Sequence, residues 1–249
     1  MNAKIFATLV LAGASCALGS APAWAQTPAP ERHLVYNFTY GSTGDLETHG
    51  SNGYASDTHS GSGATRDYRG SISDKGTITV DVVREQPDKG LIVSISEQAE
   101  QTRKADPATC VVYGNTTIIC DSSKTVNSEE MTLLRFLGTT FVDPNQIDAN
   151  RHWKIDQSNS EQALTADYTI SRNADGIMSI DESRQVKYYG GASPQTNDIS
   201  SKIQYDFNRL IPTSVSEFVT RRESQGPGQY MTTTIQTTLN LVSDSMAKS

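Results

Sequence analysis

The feature that most constrains this 249-residue chain is an alternation of apolar and polar residues that returns in segment after segment. "LVYNFTY" sets Leu34, Tyr36, Phe38 and Tyr40 on one side, and "TITVDVV" does the same with Ile78, Val80 and Val82. "LIVSISEQ" groups Leu91, Val93 and Ile95, and "LTADYTI" groups Leu164, Ala166, Tyr168 and Ile170. "ISSKIQYDF" puts Ile199, Ile203, Tyr205 and Phe207 together, and "YMTTTIQTTLNLV" turns Met231, Ile235, Leu239 and Leu241 inward. A period of two is the signature of a half-buried strand. The opposite positions hold mostly Thr, Ser, Gln, Lys and Asp, so each strand keeps one wet face, as antiparallel sheets allow and buried parallel sheets do not. Turn residues in "EQPDKG" (85–90) and "RNADG" (172–176) separate neighbouring strands. The pattern predicts an all-β, mainly antiparallel fold: a curved meander sheet or half-barrel. A two-sheet β-sandwich satisfies the same alternation.

One segment breaks the period. In "NSEEMTLLRFLGTTF", Asn127 stands at a capping position, with Glu130 three residues on and acids in the first turn. Met131, Leu134, Leu137 and Phe141 then recur at helical spacing. This predicts one amphipathic helix over about 128–138, lying on the apolar face of the sheet.

The N-terminal 25 residues read as a cleaved bacterial signal peptide. Lys4 precedes the apolar run "IFATLVLAGASCALG", and small residues occupy Ala23 and Ala25 before the expected cut. A Pro-rich leader (26–32) is then expected to be disordered, followed by a single β-rich domain over 33–243 and a tail over 244–249. Within the domain, residues 41–63 hold six glycines and five serines and read as a long mobile loop. The expected destination is the periplasm or the exterior. After the signal peptide no apolar run reaches membrane-spanning length. The 21 Lys and Arg residues, less Lys4, face 28 Asp and Glu, so a nucleic-acid partner is not expected.

Loss of Cys16 with the signal peptide leaves Cys110 and Cys120, which an oxidising compartment joins as a disulfide. "CVVYGNTTIIC" reads as a hairpin. With a three-residue loop, Gly114 to Thr116, Tyr113 opposes Thr117, Val111 opposes Ile119, and Cys110 lies directly across from Cys120. A two-residue turn would misalign them by one. Both faces of the hairpin are apolar, so burial on both sides, or a place over the mouth of a cavity, is expected.

No nucleophile elbow, zinc-protease helix, dinucleotide fingerprint or phosphate loop is present. His33, His49, His59 and His152 are scattered, and Glu129 and Glu130 already suit a helix N-terminus. "DESR" (181–184) reads as a solvated strand face, and Arg221-Arg222 is a lone basic pair. No catalytic residue, metal ligand or cofactor is nominated, so an enzyme is not expected.

A signal peptide, a continuous antiparallel meander and one amphipathic helix over it resemble the periplasmic lipoprotein carriers of the LolA/LolB type. The likeness covers most of 33–243. The segment from Pro144 to Trp153 is also similar to a "P…W" segment of exported bacterial β-rich proteins. The resemblance implies a non-catalytic carrier of an apolar ligand, a lipid or lipoprotein-like molecule. The apolar residues that such a groove would draw on are Tyr36, Phe38, Leu134, Leu137, Phe141, Trp153, Tyr168, Tyr205 and Phe207. The competing reading is a structural or protein-interaction module of the cell envelope.

Overall fold

Eleven strands form one open antiparallel sheet in the computed structural model, which describes residues 30–49, 64–86, 90–101, 107–113, 117–137, 151–174, 176–189 and 194–248. The first half of the chain supplies β1 (Arg32–His49), β2 (Ala64–Gln86), β3 (Gly90–Ala99), β4 (Ala108–Val112) and β5 (Ile118–Cys120). One helix follows, α1 (Ser128–Arg135). The second half supplies β6 (His152–Ser158), β7 (Gln162–Ala174), β8 (Ile177–Tyr188), β9 (Gln195–Asp206), β10 (Ile211–Gly226) and β11 (Gln229–Asp244), then a 3-10 turn over Ser245–Lys248.

The spatial order is β5-β4-β3-β2-β1-β11-β10-β9-β8-β7-β6. Each half is therefore a meander of sequential hairpins, and the two halves join where the first and last strands pair. The free edges are β5 and β6, and the connection between them carries α1. That route takes the helix across one face of the sheet, where it meets β3, β10 and β11. We call this the inner face. The sandwich alternative is set aside, because all eleven strands belong to one hydrogen-bonded sheet.

The alternating residues meet the helix there. Leu34, Tyr36, Ile78, Val80, Val93 and Leu239 are fully buried, as are Leu133 and Leu134 from α1 and Phe136 just beyond it. Burying a side chain of this size contributes about 1.5–3 kcal/mol. An eight-residue helix is marginal in water, so α1 persists through this packing and its cap. Asn127 N–H donates to Glu130 Oε2 at 2.8 Å, the reciprocal half of a capping box. β2 and β3 approach closely at Gly76, where a Cβ would meet the Gln98 carbonyl oxygen at 2.1 Å.

Several boundaries differ from expectation. Residues 41–49 are not loop but the far end of β1, paired with both β2 and β11. Hydrogen bonds from two neighbours hold this Gly- and Thr-rich stretch extended; the rest of the expected loop, 50–63, lies outside the described residues. The domain begins earlier and ends later than 33–243. Arg32 opens β1 and Asp244 closes β11, and the two are joined as an ion pair. Residues 245–248 are a 3-10 turn rather than a loose tail. The helix stops at Arg135, three residues early, because Phe136 and Leu137 leave the helical path to pack into the core.

The hairpin has the expected register: Cys110 opposes Cys120, Val111 opposes Ile119, and Tyr113 N–H donates to the Thr117 carbonyl at 2.8 Å. The disulfide is formed. Burial on both sides is not found. β5 is an edge strand with Ile119 58% exposed, since α1 covers only the inner face.

Candidate functional site on the inner face

Directly opposed residues of an antiparallel sheet share a face, so the registers define rows across the molecule. One row runs Trp153, Tyr168, Glu182, Ser201, Glu217, Thr237, Tyr40 and Asp74, from β6 to β2. It is a largely polar band across the inner face. All but Tyr40 are buried.

The helix supplies the countercharge. Arg135, in the last turn of α1, donates through Nη2 to Glu217 Oε2 and to Glu182 Oε2, the latter at 3.3 Å. Thr132, one turn earlier, donates to Glu217 Oε1 at 2.7 Å. Tyr168 donates to Glu182 Oε1 at 3.0 Å, and Ser201 to Glu182 Oε2 at 2.5 Å. Every oxygen of both buried carboxylates is thus satisfied. Burial works against the charge on Arg135, but Glu217 and Glu182 outweigh it and hold the guanidinium above its ordinary value. Burial, with the Glu182 charge beside it, pushes the Tyr168 hydroxyl up. Trp153 stacks on Tyr168 with ring centroids 4.7 Å apart, closing the β6 end of the band.

A second buried acidic group lies under the N-terminus of α1. Glu97 on β3 is 3% exposed, and Glu129 and Glu130 are buried beside it. Asn127 Nδ2 donates to Glu97 Oε1 at 3.1 Å, but Oε2 has no partner. Burial first, and then the charges of Glu129 and Glu130, push the Glu97 carboxyl up to about 8. Glu130 moves the same way, chiefly through burial.

At the end of the sheet where the first and last strands meet there is an apolar cavity of about 240 Å³. Leu34, Val82, Leu91, Leu137, Leu210, Ile211 and Met246 line it, with Glu31, Arg32 and Arg209 at the rim. The two rim arginines are held by aspartates behind them. Arg32 grips Asp244 through two hydrogen bonds of 3.0 and 2.7 Å, and Arg209 holds Asp206 at 2.6 Å. Burial works against the charge on both aspartates, but hydrogen bonds from the arginine side chains and from backbone N–H groups outweigh it and hold both below the usual carboxylate range. The 3-10 turn brings Met246 to this mouth.

Of the eight described residues among the nine drawn from the sequence as groove lining, Leu137 alone borders this cavity. Tyr36, Phe38, Leu134, Trp153, Tyr168 and Tyr205 are packed core, none more than 3% exposed. Tyr36 donates its hydroxyl to the Pro212 carbonyl at 2.9 Å. Phe207 is 38% exposed, because β9 ends at Asp206 and the chain turns before Phe207 can continue the alternation. Phe141 lies outside the described residues. The "DESR" segment is half of what was expected: Asp181 and Ser183 face solvent, whereas Glu182 is buried and Arg184 half-buried on the inner face. For Glu182's partner Glu217 a signal was present in "SVSEFV", where Val215, Glu217 and Val219 share one face and place a carboxylate among apolar neighbours.

His33 and His152 sit on the outside, against Asp81 at 2.6 Å and Asp167 at 3.3 Å. Among the described residues no group of three His, Cys, Asp or Glu side chains is placed to hold a metal ion. Nor is any helix among them long and apolar enough to cross a membrane. No protein-family model matches the sequence, and no curated protein matches it.

Proposed function

We propose that the protein is exported by way of residues 1–25 and works in the cell envelope as a non-catalytic carrier or binder of an apolar ligand, in the manner of the LolA/LolB-type carriers it resembles. The observation that carries this reading is the apolar cavity of about 240 Å³ between the exit of α1 and the junction of the two half-sheets. It offers a largely apolar wall and a rim of charged groups, the usual composition of a small-molecule site. Its size suits one short chain or one end of a longer one. A disulfide in the β4–β5 hairpin is in keeping with an oxidising compartment.

The reading is tested by native mass spectrometry of the mature protein recovered from the envelope, followed by organic extraction. A reproducible apolar mass is expected, and 1-dodecanol is expected to bind the stripped protein. Met246 is 59% exposed, so Met246→Trp narrows the mouth without entering the core and should weaken dodecanol binding. A bare mass together with no dodecanol binding would overturn the proposal.

A further inference from the structure

Two arginines on the inner face keep buried donors without a hydrogen-bond partner among the described residues. Arg184 stands on β8 two residues beyond Glu182, and its Nε and Nη1 are buried without a hydrogen-bond partner. Nε of Arg221 on β10 is buried in the same state. The buried carboxylates that act on Arg184 are already taken. Glu182 accepts from Tyr168, Ser201 and Arg135, and Glu217 accepts from Thr132 and Arg135. Glu223, on the same face of β10, forms no ion pair with either arginine among the described residues. Burial, and after it the charge of Arg135, hold the Arg184 guanidinium below its ordinary value.

Unpaired buried donors are costly and rare in folded proteins. Here two guanidinium groups of the sheet carry them, as does Nε of Arg135 on α1. The registers set Arg184 level with Ile199 and Val219, and Arg221 one row further out, level with Asn197 and Val186. Two strand spacings, about 10 Å, separate β8 from β10, a gap within the combined reach of two arginine side chains. The planar fork of arginine matches an oxyanion through paired hydrogen bonds, and apolar neighbours strengthen the attraction by excluding water.

We propose that Arg184 and Arg221 form an oxyanion-binding site on the inner face, beside the Arg135–Glu182–Glu217 cluster, that takes a carboxylate or a phosphate monoester. The basic pair noted in the sequence is thereby divided by strand alternation. Arg221 turns inward to the site, and Arg222 turns outward over the Tyr230 ring at 4.1 Å. The anion comes either free from solution or as the headgroup of an amphiphile. This site is separate from the apolar cavity and does not rest on the carrier reading.

Calorimetric titration of the mature protein with inorganic phosphate, dodecyl phosphate, dodecanoate and 1-dodecanol, all below micelle formation, tests it. Binding of the charged probes is expected, weakening with salt, with at least a tenfold loss in Arg184→Gln and in Arg221→Gln. Arg222→Gln should bind as the parent does. The two inward substitutions lie on different strands, so one remains decisive if the other fails to fold. Equal binding of inorganic and dodecyl phosphate would support the site and identify a free anion. Tightening by the alkyl chain would support it and identify a headgroup. Absence of binding by every charged probe, or equal affinities in all three arginine variants, would overturn it. Met246→Trp should leave the phosphate affinities unchanged while weakening dodecanol, so failure of either proposal is read separately.

Discussion

Glu97 offers the sharpest test of how the inner face is held together. Its carboxyl lies beneath the N-terminus of α1 with one oxygen on Asn127 and the other without a partner. In the unfolded chain it ionises near its ordinary 4.5, whereas in the folded protein it keeps its proton to about 8. Between those values the folded state binds the extra proton, so stability falls as pH rises. Below about 4.5 the contribution is complete, and above about 8 it is gone. At about 1.4 kcal/mol per pKa step, the gap between 4.5 and about 8 sets a ceiling of about 5 kcal/mol. An unpartnered buried polar atom costs about 1–3 kcal/mol, so we expect about 2 kcal/mol to be realised. Glu97→Gln keeps an acceptor for Asn127 and removes the ionisation. At pH 9 it should stabilise the protein by about 2 kcal/mol, a rise in Tm of about 4–8 °C for a domain of this size, and at pH 4 it should be close to neutral. Thermal unfolding of parent and variant from pH 4 to pH 9 decides the matter. Parallel pH profiles, or a variant less stable than the parent at pH 9, would refute the reasoning.

Other perturbations probe other parts of the fold. Arg135→Met strands two buried carboxylates and should cost about 3–5 kcal/mol, whereas replacing Arg135, Glu182 and Glu217 together by apolar residues should restore most of that loss in denaturant unfolding. Reducing the Cys110–Cys120 bond, or replacing both residues by Ser, should cost about 3 kcal/mol in the chain-entropy model, measured as the shift in urea midpoint. Gly76→Ala drives a Cβ into the Gln98 carbonyl and should cost about 1–3 kcal/mol or more, with lost amide protection concentrated in β2 and β3.

What could be read before folding was whatever depends on near neighbours. The period of two located the strands, the Asn127-to-Glu130 spacing located the start of α1, and the hairpin count placed Cys110 opposite Cys120. The end of β1 was misread because Gly41 and Gly44 look like loop residues when taken alone. They are strand because β2 and β11 satisfy their backbone from both sides. Core and groove could not be told apart in the sequence for a related reason. Tyr36, Tyr168 and Tyr205 are apolar and alternate correctly, but alternation does not say whether a face meets a ligand or a helix, and six of the nine candidates are packed core.

The amino-acid sequence by itself determined that this chain is antiparallel β with one capped helix and one stapled hairpin, because periodicity, capping and hairpin register are local and their energies act over a few residues. Only the tertiary structure decided that the strands make one sheet joined at β1 and β11, that Glu182 and Glu217 are buried beneath an arginine 47 and 82 residues away, and that Arg184 and Arg221 are left with free donors. Those outcomes depend on which distant strand supplies the neighbouring hydrogen bonds and which distant side chain supplies the opposite charge. No short window of sequence contains both partners.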